Sequence, residues 1–406
     1  MDLVGITCHV YNAPRAFELA RRFRARGTKV ILGGTFPTLA PALAAPHANS
    51  VVVGELEGVA AALVRDALAG RLQPLYRAAA PPDLSRTVRP DWRLIDSSRY
   101  LRMNFPVELS RGCRFACRFC THRQLYPTAR TRSLADVERD LGEWDHGLVE
   151  VIDVNFLNDP DFFREAAALL RDAPGPGWTG QTTVLDLAAD PSIPERLAAS
   201  RCRSVFVGLE TTSPEGLRSV DKGWLKPEAF LDVARRLREA GVLVQAGVIV
   251  GLDTDGPDTF ERLGDFLEEA RVQTLTASWL HYFPGTAPYE ELRREGRLLS
   301  EDWRELDGNH LTIRPLRMSP EAMQESVARL LSRFYGLKSI GLRAGHEGIR
   351  REPAQLFHHL FQNAVMRSYY RDLAASRGDV PESGDLVRRV ADAGAGAVDW
   401  LLGRRR

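Results

Sequence analysis

Residues 110 to 120 read Ser-Arg-Gly-Cys-Arg-Phe-Ala-Cys-Arg-Phe-Cys, which puts Cys113, Cys117 and Cys120 on one short loop of a 406-residue chain that has only five cysteines. Three thiols at spacings of four and three residues can wrap around one small inorganic centre, because thiolates are soft ligands for iron–sulfur clusters and for zinc. The rest of the fold has to hold that loop in place. A closed structural site takes four protein ligands, whereas three leave one position open, as catalytic metal sites do. Two readings follow from the residues: a cubane [4Fe–4S] cluster with one open iron, or a Cys3His zinc knot completed by His122, with Cys8 or Cys202 as other sources of a fourth sulfur.

The surrounding chain is that of a globular protein with a full core. It is 44% hydrophobic and 26% charged, with a formal net charge of +1. No global field recruits nucleic acid or an anionic membrane, and Arg404-Arg405-Arg406 reads as a solvated end. No apolar run reaches the roughly 18 residues of a membrane span, and Met1-Asp2-Leu3-Val4-Gly5 lacks a basic leader region, so a cytoplasmic location is expected. Scarce cysteine fits a reducing compartment, where metal thiolates persist and structural disulfides are rare.

Hydrophobic patterning predicts an α/β protein. Leu3 to Thr7, Lys29 to Leu32 and Ser50 to Val53 read as strands, with a helix from Arg15 to Arg26 closed by Gly27. Alternation at this spacing implies a parallel sheet with right-handed crossovers. Residues 74 to 98, with Pro81, Pro82 and Pro90, read as a linker. After the cysteine loop, Ser133 with Asp136 predicts a capped helix whose apolar face carries Leu134, Val137, Leu141 and Trp144. Strands are predicted at Val149 to Phe156, Gln181 to Leu185, Ser204 to Leu209, Leu243 to Val250 and Gln273 to His281. Pro227 and Gly241 bracket one helix among those between them. This repetition predicts a partial barrel with functional groups at the C-terminal strand ends. Beyond Ser300 the pattern is mainly helical, as in Pro320 to Tyr335.

Several segments extend the cysteine motif. Asp153-Val-Asn155-Phe156, Ser204-Val-Phe-Val-Gly-Leu-Glu210, Gly247-Val-Ile-Val-Gly251-Leu-Asp253-Thr-Asp, Pro284-Gly285-Thr286-Ala-Pro-Tyr289 and Arg317-Met-Ser-Pro320 follow it in order. Each has a plain structural alternative: Glu210 as a helix cap, Gly247 and Gly251 as packing glycines, Asp153 as a strand-end charge. With Cys-x-x-x-Cys-x-x-Cys and Phe119 before the last cysteine, the set resembles the radical S-adenosylmethionine (SAM) enzymes, in the branch that carries an N-terminal cobalamin-binding module. The resemblance implies that Cys113, Cys117 and Cys120 ligate a [4Fe–4S] cluster and that Phe119 covers it. It also implies that Asp153, Asn155 and Glu210 position SAM, and that Gly247 and Gly251 lie near the adenine. One electron then cleaves SAM to methionine and a 5′-deoxyadenosyl radical, which abstracts hydrogen from a small-molecule substrate. A reductant such as flavodoxin or ferredoxin is implied as partner.

Together these readings predict a partial (βα)6 TIM-like radical SAM barrel over residues 105–295. A truncated Rossmann-like, cobalamin-binding-like module is expected over 1–75, a linker over 76–104 and a mainly helical region over 296–406. Leu32-Gly33-Gly34-Thr35-Phe36-Pro37-Thr38 and Val53-Gly54-Glu55-Leu56-Glu57 resemble the later part of such a module. Only three of five strands are readable, and Asp-x-His-x-x-Gly, which carries the lower histidine ligand in some cobalamin proteins, does not occur. Weak or no cobalamin binding is therefore expected, with bracing or self-association in its place and an unpaired sheet edge unless another element covers it. The alternatives are a cobalamin-dependent radical SAM methyltransferase and a zinc-stapled interaction protein. Trp279, His281, Tyr282, Phe283 and Tyr289 are candidates to line a substrate end of the barrel.

Overall fold

The computed structural model describes residues 3–86, 90–96, 104–143, 147–344 and 353–375. Trp144 and Arg404 to Arg406 lie outside the described residues. The chain forms two compact units, one of residues 1–181 with 281–307 and one of residues 182–280 with 308–406.

The first unit opens with a parallel sheet of β1 (Leu3–Thr7), β2 (Lys29–Gly33), β3 (Ser50–Val53) and β4 (Leu75–Arg77), in the order β1-β2-β3-β4. The first helix, Ala13–Arg24, starts two residues before the expected Arg15, because Pro14 suits the first turn. It buries Ala13, Ala16 and Ala20, small residues at helical spacing. The fourth strand corrects the sequence reading, which counted three and placed residues 74 to 98 in a linker. At three residues it is too short to show a period. It forms because Tyr76 buries its ring with Ile31, Val52, Val59 and Leu63 and donates its hydroxyl to Asp66 at 2.9 Å.

The same unit holds parallel strands β5 (Phe105–Val107), β8 (Val149–Val151) and β9 (Trp178–Thr182). Between β5 and β8 a short antiparallel hairpin, β6 (Ser110–Arg111) with β7 (Arg130–Thr131), bounds the cysteine loop. The capped helix expected after the loop is Leu134–Leu141, with Ser133 Oγ accepting the Asp136 N–H at 3.1 Å. Helix Pro160–Asp172 begins with Asp159 accepting from Phe162 N–H at 3.0 Å. Two strand predictions shift. β8 stops at Val151, ahead of the buried Asp153, whose carboxylate is held by the β5–β6 segment. β9 ends at Thr182 because Thr183 caps helix Val184–Ala189 by accepting the Asp186 N–H at 3.3 Å.

In the second unit β10 (Cys202–Glu210), β11 (Leu243–Val250) and β12 (Thr274–Trp279) run parallel. Helices Pro214–Ser219, Pro227–Glu239 and Thr259–Ala270 separate them in sequence. With β5, β8 and β9, six parallel strands thus alternate with helices along the chain, the α/β pattern expected. The C-terminal region is helical, with Pro320–Phe334, Leu337–Ala344 and Pro353–Ala375. These helices serve β12 directly. The Leu275 N–H donates to Tyr335 Oη at 3.0 Å, and the same hydroxyl donates to the Leu275 carbonyl at 2.6 Å. The Ala277 N–H donates to Tyr370 Oη at 3.1 Å, and Asn363 Nδ2 donates to the Gln273 carbonyl at 3.1 Å. Backbone groups along β12 that would otherwise invite another strand are satisfied by side chains.

Candidate active site

In the first unit the cysteine loop leaves through Gly112 and returns through Thr128. Gly112 has φ +95°, and a Cβ there would sit 2.4 Å from the Thr128 carbonyl oxygen, so glycine alone lets the loop close. Cys113, Cys117 and Cys120 form no disulfide, and each is partly exposed. A turn between the last two is closed by Cys120 N–H donating to the Cys117 carbonyl at 3.0 Å. Phe119 is half-buried on the same turn. Among the described residues no group of three or more His, Cys, Asp or Glu side chains is placed to hold a metal ion.

The remaining cysteines have a different character. Cys8 lies in the core of the N-terminal sheet, where burial pushes its thiol up to about 12, and Cys202 is buried and raised by burial as well. Both therefore stay as thiols near neutral pH and are poor ligands. His122 is held neutral by burial and stacks on Tyr126 at 5.7 Å. Its Nδ1 is a buried atom with no hydrogen-bond partner. The donor set of the loop, three accessible thiols with an unsatisfied imidazole nitrogen two residues on, suits a soft metal centre.

Asp153 bonds the segment that leads into this loop. Asp153 is 3% exposed; one carboxylate oxygen accepts the Leu109 N–H at 2.8 Å and the other accepts the Ser110 hydroxyl. Burial outweighs these bonds and lifts its carboxyl to about 7. Asn155 is fully buried and accepts the Leu157 N–H at 3.2 Å. The sequence reading passed over Asn158. Its Nδ2 donates to the Gly112 carbonyl at 2.8 Å and its Oδ1 accepts the Arg114 N–H at 3.3 Å, so one side chain grips the backbone on both sides of Cys113. Its place three residues after Asn155 was the available signal.

In the second unit Glu210 ends β10 with φ +62°, a left-handed conformation uncommon outside glycine, at an irregularity in the β10–β11 register. Its carboxylate is buried and takes a 2.5 Å ion pair from Lys222 Nζ. A Cβ at Gly208 would lie 2.5 Å from Glu210 Oε1, so glycine there makes room for the folded-back side chain. Lys222 was invisible to sequence reading because nothing local marks a partner twelve residues away.

Gly247 and Gly251 have separate reasons to be glycine. A Cβ at Gly247 would meet Phe206 Cζ at 2.5 Å, whereas Gly251 adopts φ +87°. The Gly251 and Leu252 N–H groups both donate to Asp255 Oδ2 at 2.9 Å. Asp255 is 2% exposed, and burial raises its carboxyl to about 6 against those two bonds.

The proposed substrate aromatics do not form one group. Tyr289 is buried in the core of the N-terminal sheet, with Tyr282 and Phe283 packed on it and His281 edge-on to Phe283 at 4.9 Å. Trp279 instead lines a cavity of about 780 Å³ in the second unit with Asn309, Tyr335, Arg367 and Tyr370.

Comparison with known proteins is consistent with this arrangement. Residues 107–267 match the family model for the Radical SAM superfamily. The chain is similar to bacteriochlorophyllide d C-12(1)-methyltransferase of Chlorobaculum tepidum, 26% identical over 344 residues, covering 82% of this chain and 75% of that one. In fold it resembles the radical SAM methyltransferase TsrM of Kitasatospora setae, solved with cobalamin and a [4Fe–4S] cluster, with a TM-score of 0.62 at 17% identity over 96% of this chain and 88% of that one. It also resembles the cobalamin-dependent SAM radical enzyme OxsB, with a TM-score of 0.65 at 15% identity over 99% of this chain and 71% of that one. Helices here are in no case both long and apolar enough to cross a membrane among the described residues. The match to the Radical SAM superfamily model, over residues 107–267, runs through both the three-cysteine loop and the strand-end carboxylates, and the chain is an enzyme.

Proposed function

We propose that Cys113, Cys117 and Cys120 hold a [4Fe–4S] cluster with one open iron, and that the enzyme acts on a small-molecule substrate at an unactivated carbon. The observation that carries this reading is the loop itself: three accessible thiols at a glycine-closed neck, with Asn158 gripping the backbone around Cys113. When bound, the cluster and SAM supply a 5′-deoxyadenosyl radical able to abstract hydrogen from such a carbon. The protein's own residues orient and shield. Phe119 would shield a cluster held on the loop, Asn155 and Glu210 would meet polar groups of SAM, and the Gly247 to Gly251 backbone would contact its adenine. Asp153 holds Leu109 and Ser110, which lead into the loop. The division into an N-terminal module, a barrel over 105–295 and a helical region belongs to this reading.

A second reading, methyl transfer assisted by a corrinoid in the N-terminal module, is favoured by the likeness to a methyltransferase relative and to folds solved with cobalamin. One experiment separates the two. The chain is reconstituted anaerobically and incubated with reductant and methyl-labelled SAM, with and without added cobalamin, and iron, 5′-deoxyadenosine and corrinoid retained through gel filtration are measured. Iron near four per chain with cobalamin-independent 5′-deoxyadenosine supports the first reading. Stoichiometric retained corrinoid with cobalamin-dependent label transfer moves methyl transfer to the front. A colourless, zinc-containing protein that forms no 5′-deoxyadenosine overturns both.

A further inference from the structure

In the hairpin at the neck of the cysteine loop, Arg111 and Arg130 stand directly opposite one another. Like charges in that relation repel and tend to splay the strands. A carboxylate from the N-terminal sheet lies between them. Glu55, two residues past the end of β3, accepts from Arg111 Nη1 through Oε2 at 2.6 Å and from Arg130 Nη2 through Oε1 at 2.7 Å. The Glu55 side chain is only 6% exposed, and those of the arginines 16% and 17%. Arg111 is held further by Glu108, at 2.9 Å to both Nε and Nη2, and by Glu57 at 2.9 Å. Arg130 also donates to the Pro82 carbonyl at 2.8 Å, but among the described residues Glu55 is its only carboxylate.

We propose that Glu55 is a positioning residue for the metal loop: it locks the neck of the loop against the N-terminal sheet, so that this sheet sets the loop's geometry whether or not it holds a ligand of its own. The inference rests on the reading that the loop carries the cluster, while the lock itself is a property of the protein alone. Neutralising Glu55 removes the one carboxylate that bridges the two facing guanidinium groups and leaves Arg130 without a carboxylate among the described residues, while Arg111 keeps Glu108 and Glu57. Glu57 reaches only Arg111 and leaves the bridge intact when it is changed.

Hydrogen exchange of the full-length, metal-free chain tests the lock. In Glu55→Gln, amides within residues 112–129, including that of Cys120, should exchange roughly ten- to a hundred-fold faster, the loss of a charge-assisted bond. In Glu57→Gln the increase should stay below about fivefold, as for a partly exposed pair. Amides of β1, β2 and β3 should be unchanged in both. Equal effects of the two variants, no effect of Glu55→Gln, or an equal loosening of β1 to β3 would overturn the proposal. After anaerobic reconstitution, Glu55→Gln should hold less iron or show a shifted cluster potential; iron content and potential equal to wild type would also overturn it. A wild-type chain that takes up no cluster would sink the functional reading and leave the exchange result standing.

Discussion

Replacing Lys222 by methionine removes one charge of a buried pair and keeps most of its volume. The Glu210 and Lys222 side chains are 10% and 8% exposed and their charged atoms are 2.5 Å apart, so solvent screens the pair little. Deleting one partner of such a pair leaves an uncompensated buried charge, which costs about 3–5 kcal/mol. The damage should be local. Glu210 closes β10 at a strained, left-handed residue, and β10 pairs with β11 from Ser204 to Glu210. Hydrogen exchange of amides in β10 and β11 should therefore accelerate in Lys222→Met by roughly two to three and a half powers of ten, the same free energy expressed as an equilibrium constant. The double variant Lys222→Met with Glu210→Met should recover most of the loss, because two apolar groups of similar size need no charge partner. An acceleration of less than about tenfold in the single variant, or a double variant no better than the single, would refute the reasoning and mean that water or another group compensates Glu210.

Other outcomes can be stated briefly. Cys117→Ala should abolish 5′-deoxyadenosine formation while circular dichroism stays that of the wild type, because the loop contributes ligands more than packing; full activity in the variant would exclude a cluster on this loop. Glu210→Gln should weaken SAM binding by about ten- to a hundred-fold without loss of iron, and unchanged affinity measured by calorimetry would reduce Glu210 to a partner of Lys222 alone. Tyr335→Phe should destabilise the second unit by about 1–3 kcal/mol, read by urea unfolding, since it strips a partner from both the N–H and the carbonyl of Leu275. Asp153 has its folded pKa raised to about 7, chiefly by burial, so the folded state binds its proton more tightly than the unfolded state. Its contribution therefore favours folding below about pH 4 and is lost as pH rises through about 7. Relative to Asp153→Asn, wild type should lose stability across that window by an amount on the order of a few kcal/mol, and parallel stability curves would show that Asp153 does not titrate there.

The strands that could be read from sequence were those with long apolar runs. Leu243 to Val250 was read to the residue, since every position but Gln245 is buried and the run is continuous. Strands of only three residues were misjudged, although Leu3 to Thr7 and Ser50 to Val53 were read to the residue. Leu75–Arg77 has one buried residue, and β8 keeps three residues because Asp153 bonds the neighbouring chain instead of extending the strand. The helix caps at Ser133 and the prolines at helix starts were legible because their physics lies within four residues. The site divides in the same way. Three cysteines on one loop can be read as the donor set of a metal centre without any fold. Asn158, Lys222 and Glu55 act across gaps that no local pattern spans, whereas Asp255 lies within four residues of the N–H groups it holds.

What the sequence determines alone is therefore whatever depends on neighbours along the chain: the donor set of the cysteine loop, the alternation of strands and helices, and the glycines that backbone geometry requires. The tertiary structure decides what depends on burial and on distant partners. It turns Asp153 and Glu210 from strand-end carboxylates into buried acceptors with chosen donors, and it sends Tyr289 into the core of the N-terminal sheet with Tyr282 and Phe283 packed against that core. It also brings Glu55 between two arginines more than fifty residues away. A side chain's charge and hydrogen-bonding role follow from the dielectric and the donors around it, and those exist only once distant segments have packed.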